Sequence, residues 1–241
     1  MLGVKIVDNY ENYLKYRGVV LPDPDSCGVP NYLQEVLIDR KRDLRIMDIG
    51  CGYGNMLFGL RNMGFTNLAG MDISPNAVDF CVKQGLNVRV EDIMQYKGEK
   101  YEFLIMSHVL EHLPKDKVVA MLQYLRENVL LPRGDLCIMV PNAQSNTDCY
   151  WAYEDFTHNT LFTGGSLLFV LRQAGFEKIQ LLDVDGLSGM DKNSFAYHKK
   201  KMLQELYITN KLFWNKVTGS SYHRPSPLIF TWEIKALATA L

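Results

Sequence analysis

The chain has 241 residues, of which 47% are apolar and 22% charged, and a formal net charge of −1. That length can bury one large core, and the near-neutral balance excludes a binding mode dominated by attraction to nucleic acid or an anionic membrane surface. No apolar run reaches the ~18 residues of a spanning helix, and the first residues lack a basic-then-apolar leader pattern, so neither membrane spanning nor secretion is expected.

Residues 1–40 read as a helical preface rich in tyrosine (Tyr10, Tyr13, Tyr16) and broken by Pro22, Pro24 and Pro30. From Leu44 the pattern alternates between strand and helix, as in a parallel sheet covered on both faces. The first strand, about 44–49, runs into the turn Asp48-Ile49-Gly50-Cys51-Gly52-Tyr53-Gly54 and then a helix with Met56, Leu57, Leu60 and Met63 inward, closed by Gly64. Strand two, 67–72, ends at Asp72. Ser74-Pro75 supplies an N-cap and first-turn proline for the next helix, and Gly85 ends it. Strand three, 87–91, ends at Glu91-Asp92.

Strand four, Phe103–Met106, enters Ser107-His108-Val109-Leu110-Glu111-His112, and Pro114 is expected to open a helix to about 129. Strand five, Leu136–Val140, ends at Pro141-Asn142. A loop at 143–164 precedes a helix from Ser166 to Gly175, and strand six follows at about 176–184. After a long insertion at 186–227, the apolar run Leu228–Ile234 reads as the last strand. Lys199, Lys200 and Lys201 form a basic cluster and read as a solvated helix face. In the same insertion, Phe213 and Trp214 read as the core of a cap. The five cysteines (Cys27, Cys51, Cys81, Cys137, Cys149) contain no C-x-x-C pair, which suits reduced thiols in the cytoplasm.

Open parallel sheets bind ligands outside the carboxyl ends of their strands. Asp48, Asp72, Asp92 and Ser107 all fall at or near such ends, so four strands deliver polar groups to one crevice. Each acid could alternatively cap the helix that follows it. The glycine turn lets backbone approach a nucleoside-bearing ligand as no side chain would. Its form, D-x-G-x-G-x-G, differs from the dinucleotide fingerprint G-x-G-x-x-G in spacing and in its leading acid, which weighs against a nicotinamide oxidoreductase.

These residues resemble the class I S-adenosylmethionine-dependent methyltransferases over roughly 44–176, with a weaker echo at 228–238. The resemblance implies an α/β, Rossmann-like, doubly wound seven-stranded sheet, mostly parallel with the last strand antiparallel, with helices on both faces and cap insertions. It implies one domain over 1–241: an N-terminal helical cap at 1–40, a core at 41–185 and 226–241, and substrate-side loops or cap at 143–164 and 186–225. The cofactor implied is S-adenosyl-L-methionine. Asp48, Gly50, Cys51, Gly52 and Gly54 would wrap its methionine end, and Asp72 would accept the ribose hydroxyls with Ile73 against adenine. Asp92 would receive the adenine amino group with Ile93 beside the ring, and Ser107 would line the site from strand four.

A second likeness is narrower. Val109-Leu110-Glu111-His112-Leu113-Pro114, Val140-Pro141-Asn142, the D-F-T-H-x-x-x-F-T string at 155–163 and Ala174-Gly175-Phe176 resemble small bacterial methyltransferases of polysaccharide and lipopolysaccharide biosynthesis. That likeness implies O-methylation of a saccharide, or of a phosphate or phosphoramidate group, with no nucleic-acid partner. Oligomeric state is not legible.

A hydroxyl acceptor must lose a proton as its oxygen attacks the methyl carbon. His158 is the first candidate for the base; it could equally tether its loop through Thr157 and Asp155. His112 and His108 are rivals. An E-x-x-E-H string at this position binds a divalent metal in ubiquinone-biosynthesis O-methyltransferases and in small-RNA 3′-end methyltransferases. This chain reads H-x-x-E-H, so the main expectation is no metal, with His108, Glu111, His112 and His158 as the alternative ligand set. A metal-dependent enzyme for a quinone-like, phenolic or RNA-terminal acceptor, and a non-catalytic cofactor-binding subunit, are the other readings. Tyr10, Tyr13, Tyr16 and Arg17 could reach the methionine carboxylate or form an amphipathic stripe. Tyr150, Trp151 and Tyr153 could stack on a sugar ring or on each other.

Overall fold

The computed structural model describes residues 20–145, 155–220 and 227–240. Tyr10, Tyr13, Tyr16, Arg17, Cys149, Tyr150, Trp151 and Tyr153 therefore lie outside the described residues.

The strands alternate apolar side chains to two faces, and each face is covered. β1 (Ile46–Ile49) is flanked by β2 (Leu68–Asp72) and β4 (Tyr101–Ser107), both parallel to it. Ile46 points to a core with Phe103, Ile105, Cys137 and Met139, covered by Leu33 and Leu37 of α1 (Asn31–Leu37). Met47 and Ile49 point to the opposite core with Leu104, Met106, Leu136 and Ile138. Leu122 of α4 (Val118–Tyr124) and Leu167 and Leu171 of α5 (Gly164–Gln173) cover that second core. Such runs, buried on both faces, are the mark of strands inside a parallel sheet.

The seven-stranded sheet has the order β3-β2-β1-β4-β5-β7-β6, with β3 at Val88–Val90, β5 at Leu130–Pro141, β6 at Glu177–Leu182 and β7 at Glu233–Thr239. β7 lies between β5 and β6 and is antiparallel to both, while the other pairings are parallel. This is the Rossmann-like, doubly wound α/β arrangement expected. The winding reverses between β1 and β4, and there the carboxyl ends of adjacent strands diverge into a crevice.

α2 (Asn55–Asn62) starts directly from Gly54 and buries Leu57, Phe58 and Leu60. α3 (Pro75–Lys83) begins as read: Ser74 accepts from the Ala77 N–H at 3.3 Å, with Pro75 in the first turn. α5 has a reciprocal cap, in which Thr163 accepts from the Ser166 N–H at 3.2 Å and Ser166 accepts from the Thr163 N–H at 2.8 Å.

Four expectations need correction. The last strand is Glu233–Thr239, and Leu228–Phe230 precedes it outside the strand, with Ile229 buried and the Phe230 N–H bonded to the Val184 carbonyl at 2.7 Å. The strand was hidden because it is filled by small residues, Ala236 and Ala238, at its buried positions. The helix placed after Pro114 begins at Val118; a short 3-10 turn, Leu110–His112, and a second turn at Pro114–Lys117 come first, and the helix widens into a π turn at Leu125–Val129. Lys199 is exposed, but Lys200 hydrogen-bonds the Gly186 carbonyl and Lys201 pairs with Asp185 at 3.4 Å, so two of the three lysines anchor α6 (Phe195–Thr218) to its preceding loop. Phe213 and Trp214 are exposed on α6 rather than packed in a cap core; only Gln204 of that helix is buried. Among the described residues no helix is long and apolar enough to cross a membrane.

Candidate functional site at the carboxyl edge of the sheet

The turn between β1 and α2 is built from three glycines in the left-handed region, Gly50, Gly52 and Gly54, with φ of 73°, 51° and 81°. Two are needed for close packing. A Cβ on Gly50 would stand 2.3 Å from Val109 Cγ2, and one on Gly54 would stand 2.8 Å from Leu86 Cδ1. A Cβ on Gly52 would meet nothing within 4 Å. That glycine faces open space, so a ligand can approach its Cα closely.

Asp72, at the end of β2, ties this turn to the next. Its carboxylate accepts from the Gly52 N–H and the Ser74 N–H, each at 2.8 Å. Burial pushes its carboxyl group up, while the backbone donors at Ser74, Gly52 and Ile73 oppose the shift. Asp48 is buried in the middle of the sheet edge, and burial together with the Asp72 charge raises it to about 8. Among the described residues neither carboxylate has an ion pair. Two adjacent buried acids without a cation make a site that favours a positively charged ligand.

The remaining cofactor candidates take distinct places. Ile73 is exposed beside Asp72. Asp92 is exposed and accepts from the Met94 N–H at 2.9 Å, so one oxygen caps the turn that follows β3. The Glu91 N–H bonds the Asp72 carbonyl at 3.2 Å, which holds this turn next to the end of β2. Ile93 packs into the core, and it is Met94 beside it that faces solvent. Ser107 is half-buried at the end of β4. Cys51 is buried, and its thiol and that of Cys81 both approach the Gly52 carbonyl, at 3.8 and 3.5 Å.

A second group lies just beyond β4. His108 has a left-handed backbone, φ 54°, that a non-glycine residue adopts only under constraint. Its Nδ1 is 3.3 Å from Glu111 Oε1 and its Nε2 3.2 Å from Glu233 Oε2, and its ring stacks on Trp232 with centroids 5.5 Å apart. Burial opposes the charged ring, but the carboxylates of Glu111 and Glu233 beside it prevail and raise it to about 9. Both ring nitrogens of His108 thus face carboxylates. Trp232 and Glu233 gave no sequence signal, because their relation to His108 exists only through the β5–β7 pairing.

Glu111 is 1% exposed, and among the described residues neither of its carboxylate oxygens has a hydrogen-bond partner. Its backbone carbonyl accepts from the Asn159 and Thr160 N–H groups at 2.8 and 2.9 Å, and Asn159 Nδ2 donates to the His112 carbonyl at 2.7 Å. These bonds clamp the 155–160 loop onto the turn at 110–112. There the side chain of His158 is 4% exposed, with Nε2 3.6 Å from Asp155 Oδ2 and 3.9 Å from Glu111 Oε1. Burial holds its pKa below the ordinary histidine value, against the pull of Glu111. His112 meets His158 edge to face at 4.8 Å.

Thr157 decides the orientation of His112. Its hydroxyl donates to Asp155 Oδ1 at 2.6 Å and lies 2.9 Å from His112 Nδ1. With its proton committed to Asp155, the hydroxyl accepts from His112 Nδ1–H, which leaves the basic lone pair on Nε2. Asp155 therefore serves His112 through Thr157 as well as lying against His158. Thr157 was legible only as a neighbour of His158, not as the group that orients His112.

A family model described as "Methyltransferase domain" matches residues 27–181. No curated protein matches the chain significantly. Among solved structures, a SAM-dependent methyltransferase from Archaeoglobus fulgidus superposes with a TM-score of 0.62 at 19% identity, covering 96% of this chain and 99% of that one. A possible histamine N-methyltransferase from Thermotoga maritima gives 0.57 at 15% identity, covering 98% and 97%. Magnesium protoporphyrin IX methyltransferase from Synechocystis, crystallised with bound SAM, gives 0.53 at 14% identity, covering 97% and 91%. At such identities the likeness concerns the fold.

Proposed function

Given that the chain belongs to the methyltransferase domain family, we propose that it transfers the methyl group of S-adenosylmethionine to a saccharide hydroxyl, or to a phosphate or phosphoramidate group on a saccharide, in cytoplasmic steps of surface-polysaccharide synthesis. The observation that carries the cofactor assignment is the pair of buried carboxylates, Asp48 and Asp72, under a turn whose Gly52 opens to space.

The donor set fits that cofactor. Asp72 uses one lone pair of each oxygen on Gly52 and Ser74, and its remaining lone pairs accept from the two ribose hydroxyls. The charge on Asp48, costly when unpaired, is favoured beside a cationic ligand. Ile73 and Met94 supply apolar surface for a base, and the free oxygen of Asp92 suits an exocyclic amine. Gly50, Cys51 and Gly54 shape the turn around the methionine end, and Ser107 closes the β4 side. When bound, the cofactor supplies a methyl carbon on a sulfonium whose departure needs no acid.

The protein's remaining tasks are to hold an acceptor oxygen in line and to manage its proton. His112, with Nε2 left basic by the Thr157–Asp155 chain, and His158 against it are the groups we assign to the acceptor side. The saccharide assignment is supported by the T-H-x-x-x-F-T string that sets these groups in place, and a net charge of −1 gives an RNA acceptor no electrostatic support. The free, buried thiols of Cys51, Cys81 and Cys137 suit a reducing compartment.

Titration with S-adenosylhomocysteine, together with label transfer from S-adenosylmethionine to a panel of nucleotide-linked and phosphorylated sugars, tests both halves. Micromolar binding and label on a sugar are expected. His158→Ala and His112→Ala should each lose at least 100-fold in turnover with product affinity retained. Binding without label on any sugar would remove the saccharide assignment and leave the cofactor assignment standing.

A further inference from the structure

Among the described residues Glu111 is buried with both carboxylate oxygens lacking a hydrogen bond, a state that is costly to a folded protein unless something answers the charge. Its neighbours His108 and His158 answer it only in part: both stand at ion-pair range, 3.3 and 3.9 Å, without forming a hydrogen bond to it. Meanwhile one ligand atom each from Glu111, His112 and His158 lie within 4.8 Å of one another. We propose that these three side chains bind a divalent first-row metal ion at the carboxyl end of β4.

Two imidazoles and one carboxylate, with a position left open, suit an ion of the zinc or manganese kind. Ligand atoms about 2.1 Å from a tetrahedral ion stand about 3.4 Å apart, so binding draws this set together by about an ångström, a side-chain rotation rather than a backbone change. The surroundings are those of a supported site. Thr157 and Asp155 fix the His112 tautomer so that Nε2 is the ligand atom, the outer-shell arrangement common around metal-bound histidines. Asn159 and Thr160 fasten the loop carrying His158 to the turn carrying Glu111 and His112, so ligands from two segments are held in register.

His108 stands outside the ligand set. Its nitrogens face Glu111 and Glu233, and its ring lies flat on Trp232. The structure thus selects three of the four residues that the H-x-x-E-H string and His158 offer. The open position of the ion would take the acceptor oxygen, lowering its pKa and fixing it in line. That role rests on the methyl-transfer reading; binding of the ion does not.

The test is calorimetry of metal-free protein with Mn²⁺ and Zn²⁺, and absorption of the Co²⁺-loaded protein, with S-adenosylhomocysteine titrated in parallel. One ion per chain is expected. Glu111→Gln, His112→Ala and His158→Ala should each weaken it at least tenfold, while S-adenosylhomocysteine affinity changes less than twofold. Thr157→Val, which removes only the orienting hydroxyl, should weaken it about tenfold and covers the case in which a ligand variant fails to fold. Absence of stoichiometric uptake, or uptake that none of the four substitutions moves, would overturn the site and leave Glu111 as a counter-ion for His108 and His158. Ion binding in a protein that takes up no S-adenosylhomocysteine would instead defeat the methyl-transfer reading and leave the site intact.

Discussion

Asp48 shows how a single residue can trade stability for binding. Its carboxyl group is raised to about 8 in the folded chain, by burial and by Asp72, against about 3.9 in an unfolded one. Below pH 4 both states are protonated and the raised value costs nothing. Between about pH 4 and 8 the unfolded chain ionises and the folded one does not, so stability of the cofactor-free protein should fall as pH rises through this window and level off above it. Asp72, also shifted upward, acts in the same direction. Thermal melts of cofactor-free protein from pH 4.5 to 8.5 should therefore show a declining midpoint, and Asp48→Asn should flatten the decline and melt several degrees higher at pH 8. The same variant should bind S-adenosylhomocysteine at least tenfold more weakly. A wild-type midpoint that rises across this range would contradict the assignment. Asp48 and Asp72 were legible as acids at strand ends because strand and turn signals are local. Nothing local could show that their carboxylates would be buried side by side.

At the scale of elements, short turns carry the site and helix caps fix where those turns begin. The Thr163–Ser166 box starts α5, whose Leu167 and Leu171 cover the core under β4 and β5. Thr163→Ala should cost about 1 kcal/mol, read as a lowered denaturation midpoint at unchanged slope, with cofactor affinity preserved because the cap lies outside the glycine turn. The turn at Leu110–His112 has the opposite character: its bonds run to the 155–160 loop, so it positions side chains rather than a helix. Sequence pattern placed a helix there after Pro114 and missed that the chain first spends residues 110–117 on turns. The β7 boundary was missed for a related reason. A strand flanked on both sides needs shape more than hydropathy, and Ala236 and Ala238 supply it where the more apolar Leu228–Phe230 does not.

For the whole molecule, the crevice gathers residues from β1, β2, β3 and β4, so ligand binding should register as global stabilisation. At 100 times its dissociation constant, S-adenosylhomocysteine should add about 2.7 kcal/mol, visible as a rise of several degrees in the thermal midpoint. Gly50→Ala should abolish most of that rise, because the added carbon would meet Val109 and the backbone sits at positive φ. A full ligand shift in that variant would show that the turn tolerates displacement and is not the cradle.

The order of strands and helices, the glycine turn, the acids at strand ends and the Ser74 cap were determined by the sequence itself. They depend on periodicity, backbone freedom and capping, which act over a few residues. The partners of His108, the orientation of His112 and the isolation of Glu111 were decided only by the fold. Glu233 reaches His108 across 125 residues of chain because β7 inserts antiparallel beside β5, and Thr157 reaches His112 because Asn159 and Thr160 close a loop onto a turn. Electrostatic environment is a sum over neighbours in space, and sequence distance carries no information about that sum. The donor's place was therefore readable in one dimension, while the chemistry on the acceptor's side required three.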